Sequence, residues 1–120
     1  MPATYEDVEA IVAGLADVTV GTKWNQRTWM VGGKGFVWER PLSKADIKRY
    51  GDAPVPQGPI LGVRVDDLAE KEAVLQEGKA GVFTIPHFDG YAAVLVQLDR
   101  VDKRVLKRLV VDAWRAMSST

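Results

Sequence analysis

Val8, Ile11, Val12 and Leu15 recur at helical spacing behind a Thr4–Asp7 pair, which predicts a first helix of about three turns closed by Gly14 and the Asp17-Val18 stretch. Two aromatic-rich apolar runs, Thr28 to Val31 and Lys34 to Trp38, then flank Gly32-Gly33 and predict a β-hairpin, because a tight primed turn needs positive φ at both central positions. Residues 41–59 break the pattern: Pro41, Pro54, Pro56 and Pro59 with Gly51 and Gly58 predict a long loop, with one short helical turn from Ser43 to Tyr50. Loops of that length in small domains tend to be functional or mobile. Leu61, Val63 and Val65 alternate against Ile60, Gly62 and Arg64, predicting a strand with one buried face. Asp66-Asp67 caps a second helix through Leu68, Val74 and Leu75 that ends near Gly78.

The remaining pattern completes the fold. Val82 to Thr84 reads as a short strand and Ala92 to Leu98 as the longest one. Asp102 caps a final helix running to about Met117. The hairpin implies antiparallel pairing and no βαβ alternation is present, so the expectation is one α+β domain over 1–120: an antiparallel sheet with three helices packed on it in two layers.

Charge is balanced, with 16 basic and 16 acidic residues, whereas sequence-independent nucleic-acid binders usually carry a basic excess. What matters is therefore the local distribution. On the final helix Val105, Leu106, Leu109, Val110, Ala113, Trp114 and Met117 cover one arc; Lys103, Arg104, Lys107, Arg108 and Arg115 fall on the opposite one. Arg40, Lys44, Lys48 and Arg49 form a second basic group on the Pro-rich segment. Such arcs serve either as solvated helix faces or as anion-facing stripes that contact DNA phosphates.

Other chemistry is narrowed by what the chain contains. Cysteine is absent, which removes thiolate metal sites, disulfides and cysteine nucleophiles, and fits a reducing, cytoplasmic setting. The first seven residues have no basic and apolar leader pattern, and no apolar run reaches the ~18 residues of a membrane span. No nucleophile elbow, P-loop or zinc-protease motif occurs, so no catalytic set, cofactor or metal is expected. The single histidine, His87, reads either as an acid or base beside Asp89 or Tyr91, or as a residue tying its turn by hydrogen bonds. Trp38 shares apparent strand parity with Phe36 and is expected in the core, as is Trp114. Trp24, among polar neighbours, reads either as exposed for stacking or as a lid over the sheet edge. The leading expectation is a non-enzymatic binding module that contacts nucleic-acid phosphates through the basic arc of the final helix; the alternative is a domain that binds a small anionic or aromatic ligand in a pocket between the sheet and the Pro-rich loop, lined by Trp24, Trp29, His87 and Tyr91.

The hairpin Val31 to Phe36, the run Thr84-Ile85-Pro86-His87-Phe88-Asp89-Gly90-Tyr91, the strand Val94 to Val96 and the closing Asp112-Ala113-Trp114-Arg115 together resemble the MmcQ/YjbR family over nearly the whole chain. The Pro-His-aromatic-x-Gly-Tyr run is the most specific part. The loop 41–59 is longer than in short members, and the final helix begins Lys103-Arg104 where members often carry Pro and acids. The resemblance implies a CyaY-like antiparallel sheet with helices on it and a non-enzymatic bacterial protein of a group labelled DNA-binding. Frataxins share that fold and bind iron through an acidic first helix. Here Glu6, Asp7 and Glu9 are explained by the helix dipole alone.

Overall fold

The computed structural model describes residues 2–118. Helix α1 (Tyr5–Ala13) starts at a complete Thr4/Asp7 capping box. Three six-residue strands follow: β1 (Val18–Lys23), β2 (Gln26–Val31) and β3 (Lys34–Glu39). Helix α2 (Lys44–Arg49) lies within the Pro-rich segment, capped by Ser43. Strand β4 (Ile60–Arg64), helix α3 (Leu68–Gln76), strand β5 (Val82–Phe83), a 3-10 turn (Pro86–Phe88), strand β6 (Ala93–Gln97) and helix α4 (Lys103–Ser118) complete the chain. All strand pairs are antiparallel, in the order β1-β2-β3-β4-β6-β5. Among the described residues the protein is therefore α+β, a six-stranded open sheet with four α-helices.

Three expectations change. Strand β1 was not among the predicted elements; it occupies the sheet edge, where Val20 stands exposed, so its apolar positions carry little burial signal. Strand β6 has five residues and is shorter than β1, β2 and β3. Trp38 and Phe36 lie on opposite faces. The register moves from Trp29 opposite Val37 to Met30 opposite Gly35, a β-bulge that makes Phe36 the extra residue and turns both Phe36 and Val37 toward the helices.

The helix-side face holds the main core. Trp29, Val37, Val63 and Val94 lie in one cross-strand row, and Leu106, Leu109, Val110 and Ala113 of α4 join their cluster. Burial of this apolar surface is the main stabilising term. Tyr5 pins α1 to the sheet by donating its hydroxyl to the Ile60 carbonyl at 2.7 Å. Burial pushes that phenol up to about 12, with the Glu39 carboxylate adding to the rise.

The opposite face is also covered at one end. There Ile60, Ala93 and Leu95 meet Ile85 and Phe88, with Trp38, Leu42, Tyr50 and Phe83 packed against them. The row Thr28, Trp38, Gly62, Leu95 and Phe83 crosses this face. Gly62 leaves the space the Trp38 indole occupies, since a Cβ there would overlap the ring. The Pro-rich segment and the Thr84 to Tyr91 run thus form a partial third layer.

Candidate functional site: a cationic aromatic cleft

Beyond that covered end the second face is open, and its shape follows from the backbone. The bulge diverts Phe36 to the helix side, and the neighbouring position on the open face is Gly35, whose missing side chain leaves room beside Thr28. A cleft of about 1000 Å³ results. Its lining includes Trp24, Gln26, Thr28, Trp38, His87, Phe88 and Tyr91, with Lys23, Lys34, Arg40 and Arg64 as cations and Asp66 as the one carboxylate. Among the described residues that is four cations to one acid, and the balance stays positive with Asp46 answering Arg40 from outside this lining.

The aromatic wall is a connected set. Phe88 and Tyr91 meet edge to face with centroids 5.4 Å apart, and Trp38 lies 6.5 Å from Phe88 and 6.4 Å from Tyr91. An arginine flanks each end: Arg40 sits 5.5 Å over the Phe88 ring and Arg64 5.0 Å over the Tyr91 ring. Arg40 is neutralised by Asp46 at 3.1 Å and also donates to the Pro41 carbonyl. Burial pushes the Asp46 carboxyl up, yet the Ser43 backbone N–H and hydroxyl and the Arg40 guanidinium outweigh it and hold the group below its ordinary value.

The loop carrying His87, Phe88 and Tyr91 is held by Lys71. This lysine of α3 is only 8% exposed, and its ammonium donates to the carbonyls of Phe88 at 2.6 Å and Tyr91 at 2.9 Å. The tie expected of His87 therefore comes from elsewhere: His87 is exposed, its ring meets Phe88 at 6.2 Å, and it makes no side-chain hydrogen bond among the described residues. Lys71 and Arg64 are not among the residues that composition and motif single out. Lys71 lies three and four residues before Val74 and Leu75 on one helix face, and Arg64 shares strand parity with Ile60 and Gly62; both signals were present.

Trp24 stands at the tip of the β1–β2 hairpin at the cleft mouth, 93% exposed. It and Asn25 form the two-residue turn with φ of 55° and 63°. Asn-Gly is the usual choice for such a turn, and a left-handed tryptophan is costly, by about 1–2 kcal/mol. Trp29, expected beside the pocket, is instead 1% exposed in the helix-side core, with the Arg27 guanidinium 4.8 Å over its ring. Trp114 packs against the same core and donates Nε1–H to the Ala16 carbonyl.

The basic groups singled out in the sequence separate. Helix α4 lies on the helix side of the sheet, whereas α2 accompanies the opposite face, so Lys103, Arg104, Lys107, Arg108 and Arg115 do not share a surface with Arg40, Lys44, Lys48 and Arg49. On α4, Arg108 pairs with Glu77 at 2.7 Å, Lys103 lies 3.7 Å from Asp7 and Arg115 3.8 Å from Asp112. Arg104 and Lys107 remain exposed without a carboxylate partner among the described residues. The acids of α1 have local roles too: Asp7 closes the capping box, which together with Lys103 lowers its pKa, and Glu9 pairs with Arg27. No helix among the described residues is long and apolar enough to cross a membrane.

Comparison with known proteins finds relatives over nearly the whole chain. The uncharacterised protein Mb2600 of Mycobacterium bovis and the uncharacterised protein Rv2570 of Mycobacterium tuberculosis are each 44% identical to it over 115 residues, covering 93% of this chain and 86% of the relative. No solved structure matches it. The YjbR family model matches residues 13–116, a span from the end of α1 to the last turns of α4 that takes in the bulged hairpin and the whole cleft wall; the chain belongs to the YjbR family.

Proposed function

We propose that this protein is a non-enzymatic binding module whose ligand is a small organic anion with an aromatic ring, held in the cleft on the open face of the sheet. One observation carries the reading. A fully exposed tryptophan is kept in a left-handed turn at the mouth of a cavity that is aromatic and net positive. Backbone strain of this kind persists where the site gains from it. Trp24 is placed to close over a ring lying against Trp38, with the cations attracting charge.

The alternative, DNA binding through α4, has less support, because three of its five cations already face carboxylates and its second basic group lies across the sheet. The experiment is a thermal-shift and tryptophan-fluorescence screen of aromatic acids and nucleoside phosphates, with Trp24→Asn as the paired variant. Asparagine suits the turn, so the variant gains about 1 kcal/mol of stability while losing affinity for the hits. A variant that is more stable and binds equally well removes Trp24 from the site. Anisotropy with a labelled duplex across a salt series is the second arm. Micromolar duplex binding abolished by Arg104→Ala/Lys107→Ala, together with an empty small-molecule screen, would return the function to α4.

A further inference from the structure

The cleft reading leaves open what part of the ligand carries the charge, and Arg64 answers it. Its guanidinium makes one hydrogen bond among the described residues, Nη1 to the Tyr91 hydroxyl at 3.2 Å, while its Nε is buried with no partner. No carboxylate among the described residues lies within ion-pair distance of it, although Asp66 lines the same cavity. Arg40, at the other end of the aromatic wall, is neutralised by Asp46. Arginine has five donors in a planar fork suited to a two-oxygen acceptor. A guanidinium stacked on a tyrosine, with donors left over in a cavity, is a pre-oriented receptor for an oxyanion.

Resting on the cleft reading, we propose that Arg64, braced by Tyr91, binds the terminal oxyanion of the ligand. The ligand class is then a flat ring joined through a short spacer to a carboxylate or a phosphate. Arg64 follows Gly62 by two residues, and the Trp38 ring lies over Gly62, so ring and oxyanion subsites sit about 7 Å apart along the strand. Inorganic phosphate alone would bind weakly, since it lacks the ring.

The test uses matched pairs on the full chain by calorimetry: indole-3-acetate against indole-3-acetamide, and adenosine monophosphate against adenosine. At least one anionic member should bind about tenfold or more tightly than its neutral partner, and the pair that shows this distinguishes carboxylate from phosphate. Arg64→Gln should bring that pair to within about twofold while the neutral member's affinity stays unchanged, which also reports an intact fold. Tyr91→Phe should lose part of the preference, and Asp66→Asn should raise it. Equal affinity for both members in the wild type overturns the Arg64 assignment and leaves the cleft reading standing, as does a preference that survives Arg64→Gln. No binding by either pair, or by the wider screen, removes the cleft reading and this proposal with it.

Discussion

Replacing Lys71 by methionine tests whether the cleft wall is held by a buried ammonium. The substitution keeps most of the side-chain volume and removes two charge-assisted hydrogen bonds, to the carbonyls of Phe88 and Tyr91. Bonds of that type contribute about 1.5–3 kcal/mol each. Two terms offset the loss. Each carbonyl keeps a backbone donor, Tyr91 N–H for Phe88 and Ala93 N–H for Tyr91, so neither is orphaned. The desolvation cost of the ammonium, several kcal/mol, is also returned. The net destabilisation should be about 1–3 kcal/mol, or roughly 4–12 °C in Tm for a chain of this size. The location of the loss discriminates better than its size. Amide exchange at Phe88, Asp89 and Tyr91, which donate within the turn, should accelerate about thirtyfold for about 2 kcal/mol of easier local opening, while α4 amides change only with global stability. Wild-type Tm with unaltered exchange at those three amides would refute the tether. A uniform increase across the chain would show Lys71 to be an ordinary core contributor.

Two further perturbations probe the same face. Gly62→Ala places a methyl where the Trp38 ring lies; the indole must move, costing about 1–3 kcal/mol, and a shifted tryptophan emission spectrum with a lower Tm is expected, against an unchanged spectrum if the ring packs elsewhere. Asp46→Asn should cost about 1–2 kcal/mol at pH 7, because it weakens both the Ser43 cap and the Arg40 pair. The folded-state pKa of Asp46 is depressed, so its contribution is present above the unfolded value of about 3.9 and is lost as pH falls through the folded one. Urea titrations should therefore show the gap between wild type and variant narrowing as pH falls below the unfolded value; a gap that keeps its pH 7 size throughout the acid range would contradict the assignment.

The helices were legible because their burial is periodic within one segment. Helix α4 buries Leu106, Leu109, Val110 and Ala113, all on the arc its spacing defines, and the caps of α1 and α2 form at the residues the sequence marks. Strand β1 was not legible, since on this edge strand only Val18 reaches the core while Val20 stands in solvent, too little for an alternating pattern. Parity along β3 misled for a different reason. A bulge is a count of two residues against one on the partner strand, and nothing within Lys34 to Trp38 encodes the partner. Trp29 and Trp38 consequently exchange roles: the first is enclosed beneath the helices, and the second forms the cleft wall.

The site shows the same division between local and distant information, and it explains why basic residues were weighted wrongly along the chain. A cation's availability depends on acids that fold beside it. Arg108 is answered by Glu77 and Lys103 by Asp7, partners far away in sequence, so an arc that is cationic on a helical wheel keeps only part of that charge unpaired on the molecule. Arg64 is the converse: one basic residue in an otherwise apolar strand, flanked by Val63 and Val65, with its guanidinium packed on an aromatic ring and no carboxylate among the described residues in ion-pair reach. Desolvating a charge without a counter-charge is unfavourable, and for the half-buried Arg64 the ring and hydroxyl of Tyr91 offset part of that cost. The Nη donors that Tyr91 does not take are the ones the proposed oxyanion would engage, since the buried Nε is out of a ligand's reach.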